Sequence, residues 1–109
     1  MLHLTADTEI LLAIESVDFR RGIDGLAALC EQQLNQEPRS GCLFVFINRS
    51  RTMVRVLCYE EHGYWLATKR LSRGRYSHWP KTIAATQILL SHELQKILTT
   101  FVARQPRSV

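Results

Sequence analysis

The stretch that decides the fold spans residues 42–69 and reads Cys-Leu-Phe-Val-Phe-Ile-Asn-Arg-Ser-Arg-Thr-Met-Val-Arg-Val-Leu-Cys-Tyr-Glu-Glu-His-Gly-Tyr-Trp-Leu-Ala-Thr-Lys. Two of its apolar runs, Cys42–Ile47 and Met53–Tyr59, are rich in β-branched and aromatic residues, which favour strands. The polar residues 48–52 between them suit a hairpin loop, and a second polar turn precedes a third run at Tyr64–Lys69. The sequence therefore predicts an antiparallel meander of at least three strands.

Two segments after the meander leave the number of strands open. Arg75–Trp79 adds a fourth strand if Ser72–Gly74 forms a turn and Pro80 ends the run. Thr86–Leu90 is interpreted either as a short strand or as an extended linker. We therefore expect a meander of three to four strands.

A strand and a helix are predicted before the meander. The apolar run Glu9–Ile14 predicts a strand, and Ser16–Gly22 breaks the pattern as a loop. From Ile23 to Leu34, apolar residues recur at spacings of three and four, which indicates an amphipathic helix. Pro38 ends this unit.

A second helix is predicted after the meander. Ser91 suits its N-cap position, and an apolar stripe follows, formed by Leu94, Ile97, Leu98 and Phe101. The predicted fold is a single α+β domain over residues 1–103. It has an N-terminal strand, one early helix, the antiparallel meander and one C-terminal helix. Residues 104–109 are expected to form a flexible C-terminal tail.

Length and composition fit one compact domain. The chain has 109 residues, of which 46% are hydrophobic and 22% are charged. The N-terminal segment has no basic region followed by a long apolar run, and no apolar run approaches the roughly 20 residues of a membrane span. We therefore expect a cytoplasmic protein that does not interact with membranes.

The cysteines of the chain form no Cys-x-x-Cys pair and are expected to be free thiols, with Cys42 and Cys58 packed as small hydrophobes.

Charge is distributed unevenly along the chain. Residues 1–38 carry seven acids and two bases, residues 39–81 carry nine bases and two acids, and residues 82–109 carry three bases and one acid. The net charge of +4 is thus the sum of −5, +7 and +2. A local excess of cations is typical of a surface that binds polyanions. The alternative is a solvated sheet face whose cations balance the acidic N-terminal segment.

The central cations are the candidate nucleic-acid-binding residues. Most are arginines, whose planar guanidinium group suits phosphate oxygens. The predicted strands place them at a hairpin tip, on a strand and at a strand end. The candidates are Arg49, Arg51, Arg55, Lys69, Arg70, Arg73 and Arg75.

Aromatic residues near these cations could stack on bases. They are Tyr64, Trp65, Tyr76 and Trp79. The alternative is core packing. We expect it for both tryptophans, because tryptophan is usually well buried in folded domains.

A second candidate site lies in the loop before the first helix. Asp18 precedes Arg20 and Arg21 there. One interpretation is a local ion pair together with a helix cap. The other is that Asp18 orients an arginine guanidinium group, which then binds a phosphate or an acidic partner. Asp18, Arg20 and Arg21 are therefore candidate partner-binding residues.

No pattern of a catalytic or cofactor site is present. The sequence contains neither a Gly-x-Ser-x-Gly elbow nor a phosphate-binding Gly-x-x-x-x-Gly-Lys-Ser/Thr motif, and its four histidines are far apart. Its acids are concentrated early in the chain, whereas a two-metal site needs carboxylates from several elements. We therefore expect no enzyme activity, no metal and no cofactor.

Several short motifs occur in an order that resembles a known family. They are Asp18–Leu29, Ser40–Phe46, Gly63–Leu71, Gly74–Tyr76 and the pair Trp79-Pro80. Together they resemble TnpB, the small second reading-frame product of bacterial insertion sequences of the IS66 type. The resemblance extends from about Thr5 to Phe101 of this chain.

The resemblance implies an accessory role in transposition and DNA recombination of a bacterial mobile element. In that family the strand-transfer chemistry belongs to a separate, larger transposase. The first hypothesis is a non-catalytic protein that binds DNA through its central basic face. The alternative is an adaptor that docks on the transposase, or on another accessory protein, without contacting DNA. The sequence leaves the oligomeric state open.

Overall fold

The computed structural model describes residues 7–99 and, for the backbone only, residues 101–102. Strands and helices follow one another in a single α+β domain. In chain order they are β1 (Ile10–Ala13), α1 (Ile23–Gln32), β2 (Leu43–Ile47), β3 (Met53–Glu60), β4 (Gly63–Arg70), β5 (Arg75–Tyr76), β6 (Thr86–Leu89), α2 (Ser91–Thr99) and β7 (Phe101–Val102).

Five of the strands form one mixed sheet with the order β4-β3-β2-β1-β6. The β2–β3 and β3–β4 pairs are antiparallel, as the sequence predicts for a meander. β1 lies parallel to β2, and β6 lies antiparallel to β1. Because α1 connects two parallel neighbours, β1, α1 and β2 form a β–α–β unit.

Both faces of this sheet are covered. One face packs against α1 through a cluster that includes Leu26, Leu29 and Phe44. The other face packs against α2 and the segment after β4, in a cluster that includes Val45, Leu94 and Ile97. All five residues of β2 are buried, since this strand lies at the centre of the sheet with a layer on each side.

The predicted meander is correct for its first three strands and wrong for the fourth. Arg75 and Tyr76 form β5, which pairs with β7 in a separate two-stranded sheet. The fifth strand of the main sheet is instead β6, the segment that the sequence left open between strand and linker. Its partner β1 is 73 residues away in the register Ala13↔Thr86, so no local pattern shows the pairing.

The helices begin and end close to their predicted positions. Gly22 precedes α1 with an extended backbone and makes no side-chain capping bond, so Asp18 is not the N-cap of this helix. Ser91 is the first residue of α2. Phe101, predicted in the apolar stripe of this helix, lies in β7 instead. The predicted tail at 104–109 is outside the described residues.

The two tryptophans differ sharply in burial. Trp79 is 5% exposed, and its indole Nε1 donates hydrogen bonds to the carbonyl oxygens of Ala13 and Ile14, at 3.0 and 3.2 Å. The prediction of core packing is therefore confirmed for Trp79. It is wrong for Trp65, which is 46% exposed on β4, the strand at one edge of the described sheet.

The cysteines are buried free thiols, as predicted. Burial raises the pKa of the Cys30 thiol to about 12 and that of the Cys42 thiol to about 11, so neither forms a thiolate near neutral pH. Across residues 7–99, neither helix is long and apolar enough to cross a membrane.

Candidate nucleic-acid interface

The loop between β2 and β3 is held together by one buried side chain. Asn48 is 9% exposed, and its Oδ1 accepts the backbone N–H groups of Thr52 and Met53 at 2.9 and 3.0 Å. Its Nδ2 donates to the hydroxyl groups of Ser50 and Thr52, each at 3.1 Å. The loop that carries Arg49 and Arg51 therefore has a fixed shape.

The chain returns to this loop after β4. Arg70 lies opposite Met53 in the β3–β4 register, and the Leu71 N–H donates to the Thr52 carbonyl at 2.9 Å. The Tyr76 N–H then donates to the carbonyl of Arg51 at 2.8 Å. Residues 71–76 thus begin and end beside the hairpin tip.

The loop before α1 reaches the same end of the sheet. Val17 forms an isolated parallel bridge with Asn48. Arg55 on β3 fixes the rest of this loop, since its Nη1 donates to the carbonyl oxygens of Phe19 and Arg21 at 2.7 and 3.2 Å. Its guanidinium also lies 4.8 Å from the centre of the Phe19 ring, and its Nε donates to Thr68 Oγ1.

Asp18 and Arg20 form a bidentate ion pair within this loop. Arg20 donates through Nε to both carboxylate oxygens of Asp18 and through Nη2 to Oδ2, at distances of 2.6–3.1 Å. The Arg20 backbone N–H donates to Oδ1 as well. These hydrogen bonds lower the pKa of Asp18 to about 2, and the charge of Arg49 adds to the effect. Arg49 is therefore close enough to the loop to act on it electrostatically.

These contacts gather cations from four segments at one end of the sheet, which we call the arginine end. It consists of Arg20, Arg21, Arg49, Arg51, Arg70, Arg73 and Arg75. Acids in or beside the loop before α1 are fewer, namely Glu15, Asp18 and Asp24. The arginine end is consequently a cationic surface.

Five predicted nucleic-acid-binding arginines keep their guanidinium groups available. Within residues 7–99 these groups make neither a hydrogen bond nor an ion pair with another side chain or carbonyl, and four of the five residues are exposed. The five are Arg49, Arg51, Arg70, Arg73 and Arg75. Arginines without internal partners are free to donate to phosphate oxygens.

The remaining two predicted residues have internal partners. Arg55 holds the loop before α1 through the bonds described above. Lys69 donates from Nζ to the carbonyl oxygen of Leu98 at 3.1 Å, near the C-terminal end of α2. A cation there stabilises the negative end of the helix dipole, so Lys69 contributes to helix docking.

The rings that could stack on bases are not displayed at the arginine end. Tyr76 and Trp79 are 2% and 5% exposed. The Phe19 ring lies under the guanidinium of Arg55. Tyr64 packs edge-on against Tyr59 at the other end of the sheet, with 4.9 Å between ring centres. The described rings therefore favour phosphate contacts over base stacking.

The opposite end of the sheet is acidic. It includes a groove of about 280 Å³ that is lined by Asp7, Glu9 and Glu60, together with the buried thiols of Cys42 and Cys58. In the part of the chain that the structure describes, no three side chains of His, Cys, Asp or Glu converge to hold a metal ion. Burial raises the pKa of both thiols, which makes them poor nucleophiles.

Sequence reasoning missed the residues that organise the arginine end. The sequence pattern places Asn48 in a polar loop, and asparagine at the start of a tight loop is a signal for side-chain to backbone hydrogen bonding. The sequence predicts Arg55 as a phosphate-binding cation, whereas the structure gives its guanidinium internal partners. Its partners are 34 and 36 residues earlier in the chain, and no local pattern indicates such contacts.

The fold and the arginine end together define a small α+β protein with one cationic end. The family model described as IS66 Orf2-like protein matches residues 8–108. The chain therefore belongs to the family of IS66 Orf2-like proteins, the small accessory proteins of IS66-type transposition, as its motifs predict.

Two relatives from Sinorhizobium fredii (strain NBRC 101917 / NGR234) are similar to this chain. Uncharacterized protein y4hO is 31% identical over 107 residues, which is 98% of this chain and 92% of that relative. Uncharacterized protein y4jC is 37% identical over 76 residues, which is 70% of this chain and 65% of that relative. No solved structure matches the chain.

Proposed function

We propose that this protein is a non-catalytic accessory factor that binds duplex or single-stranded DNA during transposition of its insertion sequence. The observation that carries the proposal is a set of five arginines that have no internal partner within residues 7–99 and that lie at one end of the sheet. The DNA backbone presents a regular array of phosphates, and a cationic end gains affinity by displacing their counterions.

Three further features support a binding role over catalysis. Among the residues that the structure describes, the acidic groove is lined by thiols with raised pKa values and by no histidine. The histidines of the described region are His62, His78 and His92, and all three are exposed. Within that region no cluster of ligating side chains is placed to hold a metal.

A salt titration with matched variants tests the proposal. Affinity for a duplex should fall linearly on a log–log plot against salt concentration, with a slope of about −0.9 for each phosphate contact. The double variant Arg49→Ala/Arg75→Ala should make the slope less steep by about 1.8. Affinity should fall for every duplex sequence tested, because phosphate contacts carry no sequence information.

The control removes the same charge elsewhere. Arg39→Ala/Lys96→Ala also lowers the net charge by two, but Arg39 lies before β2 over the Tyr59 ring and Lys96 lies on α2. Its salt slope should match that of the unchanged protein. Equal losses in the two double variants, or no binding of the parent protein at low salt, would overturn the proposal.

The ordered loop before α1 favours a second candidate function, docking on the transposase. Asp18 and Arg20 present an exposed, mixed-charge surface, with Arg20 91% exposed in a loop that Arg55 holds fixed. A surface of this kind suits a protein partner of complementary charge. Co-purification with the transposase after nuclease treatment, lost in Arg20→Glu/Arg21→Glu, would support docking. Capture only when DNA is present would favour the first function.

A further inference from the structure

β4 is an edge strand with an open side. It spans eight residues and pairs only with β3 among the described strands. Apart from Leu66, every residue from Trp65 to Arg70 is exposed. A long edge with unpaired backbone groups is a template for another strand. We propose that β4 pairs antiparallel with β4 of a second copy of this chain, joining two five-stranded sheets.

The backbone of β4 fixes which residues would form the new ladder. Glu61 and His62 form a two-residue turn between the paired residues Glu60 and Gly63, so Gly63 bonds to β3. In every second residue after Gly63, the backbone N–H and C=O groups likewise point towards β3. The N–H and C=O groups of the residues between them point outward, and these residues are Tyr64, Leu66, Thr68 and Arg70.

Two-fold symmetry then limits the possible registers. Residues opposite one another must lie on the same face of the joined sheet, so their positions in β4 differ by an even number. A pairing centred on Ala67 satisfies this condition. It sets Trp65 opposite Lys69 of the second copy, and Tyr64 opposite Arg70 of the second copy.

Side-chain size and charge favour this register. The small Ala67 side chain at the symmetry axis leaves room for the two Trp65 side chains that flank it. Arg70 has no internal partner among the described residues, so its guanidinium beside the phenol ring of Tyr64 is a favourable cation–π arrangement. The aliphatic stem of Lys69, whose Nζ donates to the Leu98 carbonyl, can pack against the indole of Trp65. Trp65, half-exposed in the single chain, would thereby become covered.

Charge complementarity selects the antiparallel orientation. Glu60 and Glu61 precede β4, whereas Arg70 ends it and Arg73 follows it. Antiparallel pairing places the acidic beginning of one strand beside the basic end of the other. Parallel pairing would place like charges together. Arg49, Arg51 and Arg75 remain outside this contact, on the arginine end.

The other free edge lacks these features. β6 has four residues, and no charged residue occurs between Thr82 and Leu90. Ile88 on this strand is 70% exposed. Compared with β4, β6 would form fewer backbone hydrogen bonds with a second copy and would bring no opposite charges together. β6 therefore provides a matched control edge.

Sedimentation equilibrium of the full chain without DNA tests the proposal. The unchanged protein should dimerise, and Trp65→Glu should raise the dimer dissociation constant by about tenfold or more. Ile88→Glu, the same kind of change on the other edge, should leave that constant unchanged. Circular dichroism should show that both variants remain folded, since both side chains are exposed. A parent protein that is monomeric up to about 1 mM, or loss of the dimer only in Ile88→Glu, would overturn the proposal.

Charge reversal tests the orientation separately. Glu61 lies opposite Arg73 of the second copy if the register is centred on Ala67 and continues beyond the strand ends. Glu61→Arg and Arg73→Glu should each weaken the dimer, because each places like charges together. The double variant should restore it. The double variant could instead weaken the dimer by as much as the two single variants combined. That result would show that Glu61 of one copy does not contact Arg73 of the other.

Discussion

The two connections of the β2–β3–β4 meander lie at opposite ends of the sheet and are stabilised in different ways. The first, at the arginine end, takes its shape from the four side-chain hydrogen bonds of buried Asn48. The second depends on backbone conformation, since Glu61 and His62 both adopt positive φ, at 49° and 67°. This pair of angles is typical of a tight two-residue hairpin turn.

The difference shows how a cationic surface is built in a small domain. Arg49 and Arg51 lie in a loop whose backbone is held by the side chain of Asn48. The acidic end needs no such support because its turn is closed by two residues alone. A substitution that leaves charge unchanged can therefore damage the arginine end while the other connection stays intact.

The largest effect is expected for Asn48→Ala. This change leaves the backbone N–H groups of Thr52 and Met53 without their acceptor, and it should lower the free energy of unfolding by about 2–4 kcal/mol. Urea unfolding measures it. Ser50→Ala is the control and should cost less than about 1 kcal/mol, because its hydroxyl is exposed. Equal costs would mean that Asn48 does not organise the loop.

A smaller loss is expected for Arg55→Ala, which removes the charged donor to the loop before α1. We expect about 2 kcal/mol of destabilisation and faster hydrogen exchange in residues 18–22. Arg70→Ala is the matched control, since that guanidinium has no partner in the described region, and it should stay within about 0.5 kcal/mol of the parent. The reverse ranking would return Arg55 to the set of free, phosphate-binding cations.

The acidic-end turn should become more stable in His62→Gly. Glycine adopts positive φ without the steric cost that a Cβ atom brings, so we expect a gain of about 0.5–1 kcal/mol by thermal or urea unfolding. DNA affinity should not change, because the turn is remote from the arginine end. Destabilisation would show that the His62 side chain has a contact of its own in solution.

The smallest effect concerns the ion pair of Asp18 and Arg20. The pKa of Asp18 is about 2 in the folded protein and near 3.8 without its partners, so folding favours the ionised carboxylate. Its stabilising contribution is complete above about pH 4 and is lost as the pH falls towards 2. NMR titration of the Asp18 carboxyl group should give a midpoint near 2, moving upward in Arg20→Gln. A midpoint near 3.8 in the parent protein would mean that the pair does not persist in solution.

Local patterns were sufficient for the elements of this domain. Alternating and continuous apolar runs predicted β2, β3 and β4, and spacings of three and four predicted α1 and α2. For the seven predicted nucleic-acid-binding cations, the sequence did not distinguish residues that have internal partners from residues that have none. Five lie at the arginine end without an internal partner in the described part of the chain, whereas Arg55 and Lys69 bond to main-chain carbonyls that are 29 to 36 residues away in sequence. A charged residue with an internal partner looks the same in sequence as one without.

The sequence by itself determined the family, the α+β class and the excess of cations in the middle of the chain, because short motifs, apolar periodicity and charge are local properties. The tertiary structure decided where β1 and β6 enter the sheet, and it brought the loop before α1 to the end of the sheet that carries Arg49. It also buried Trp79 and exposed Trp65. Each of these outcomes depends on contacts between segments that are distant in sequence, and such contacts leave no local pattern in the chain.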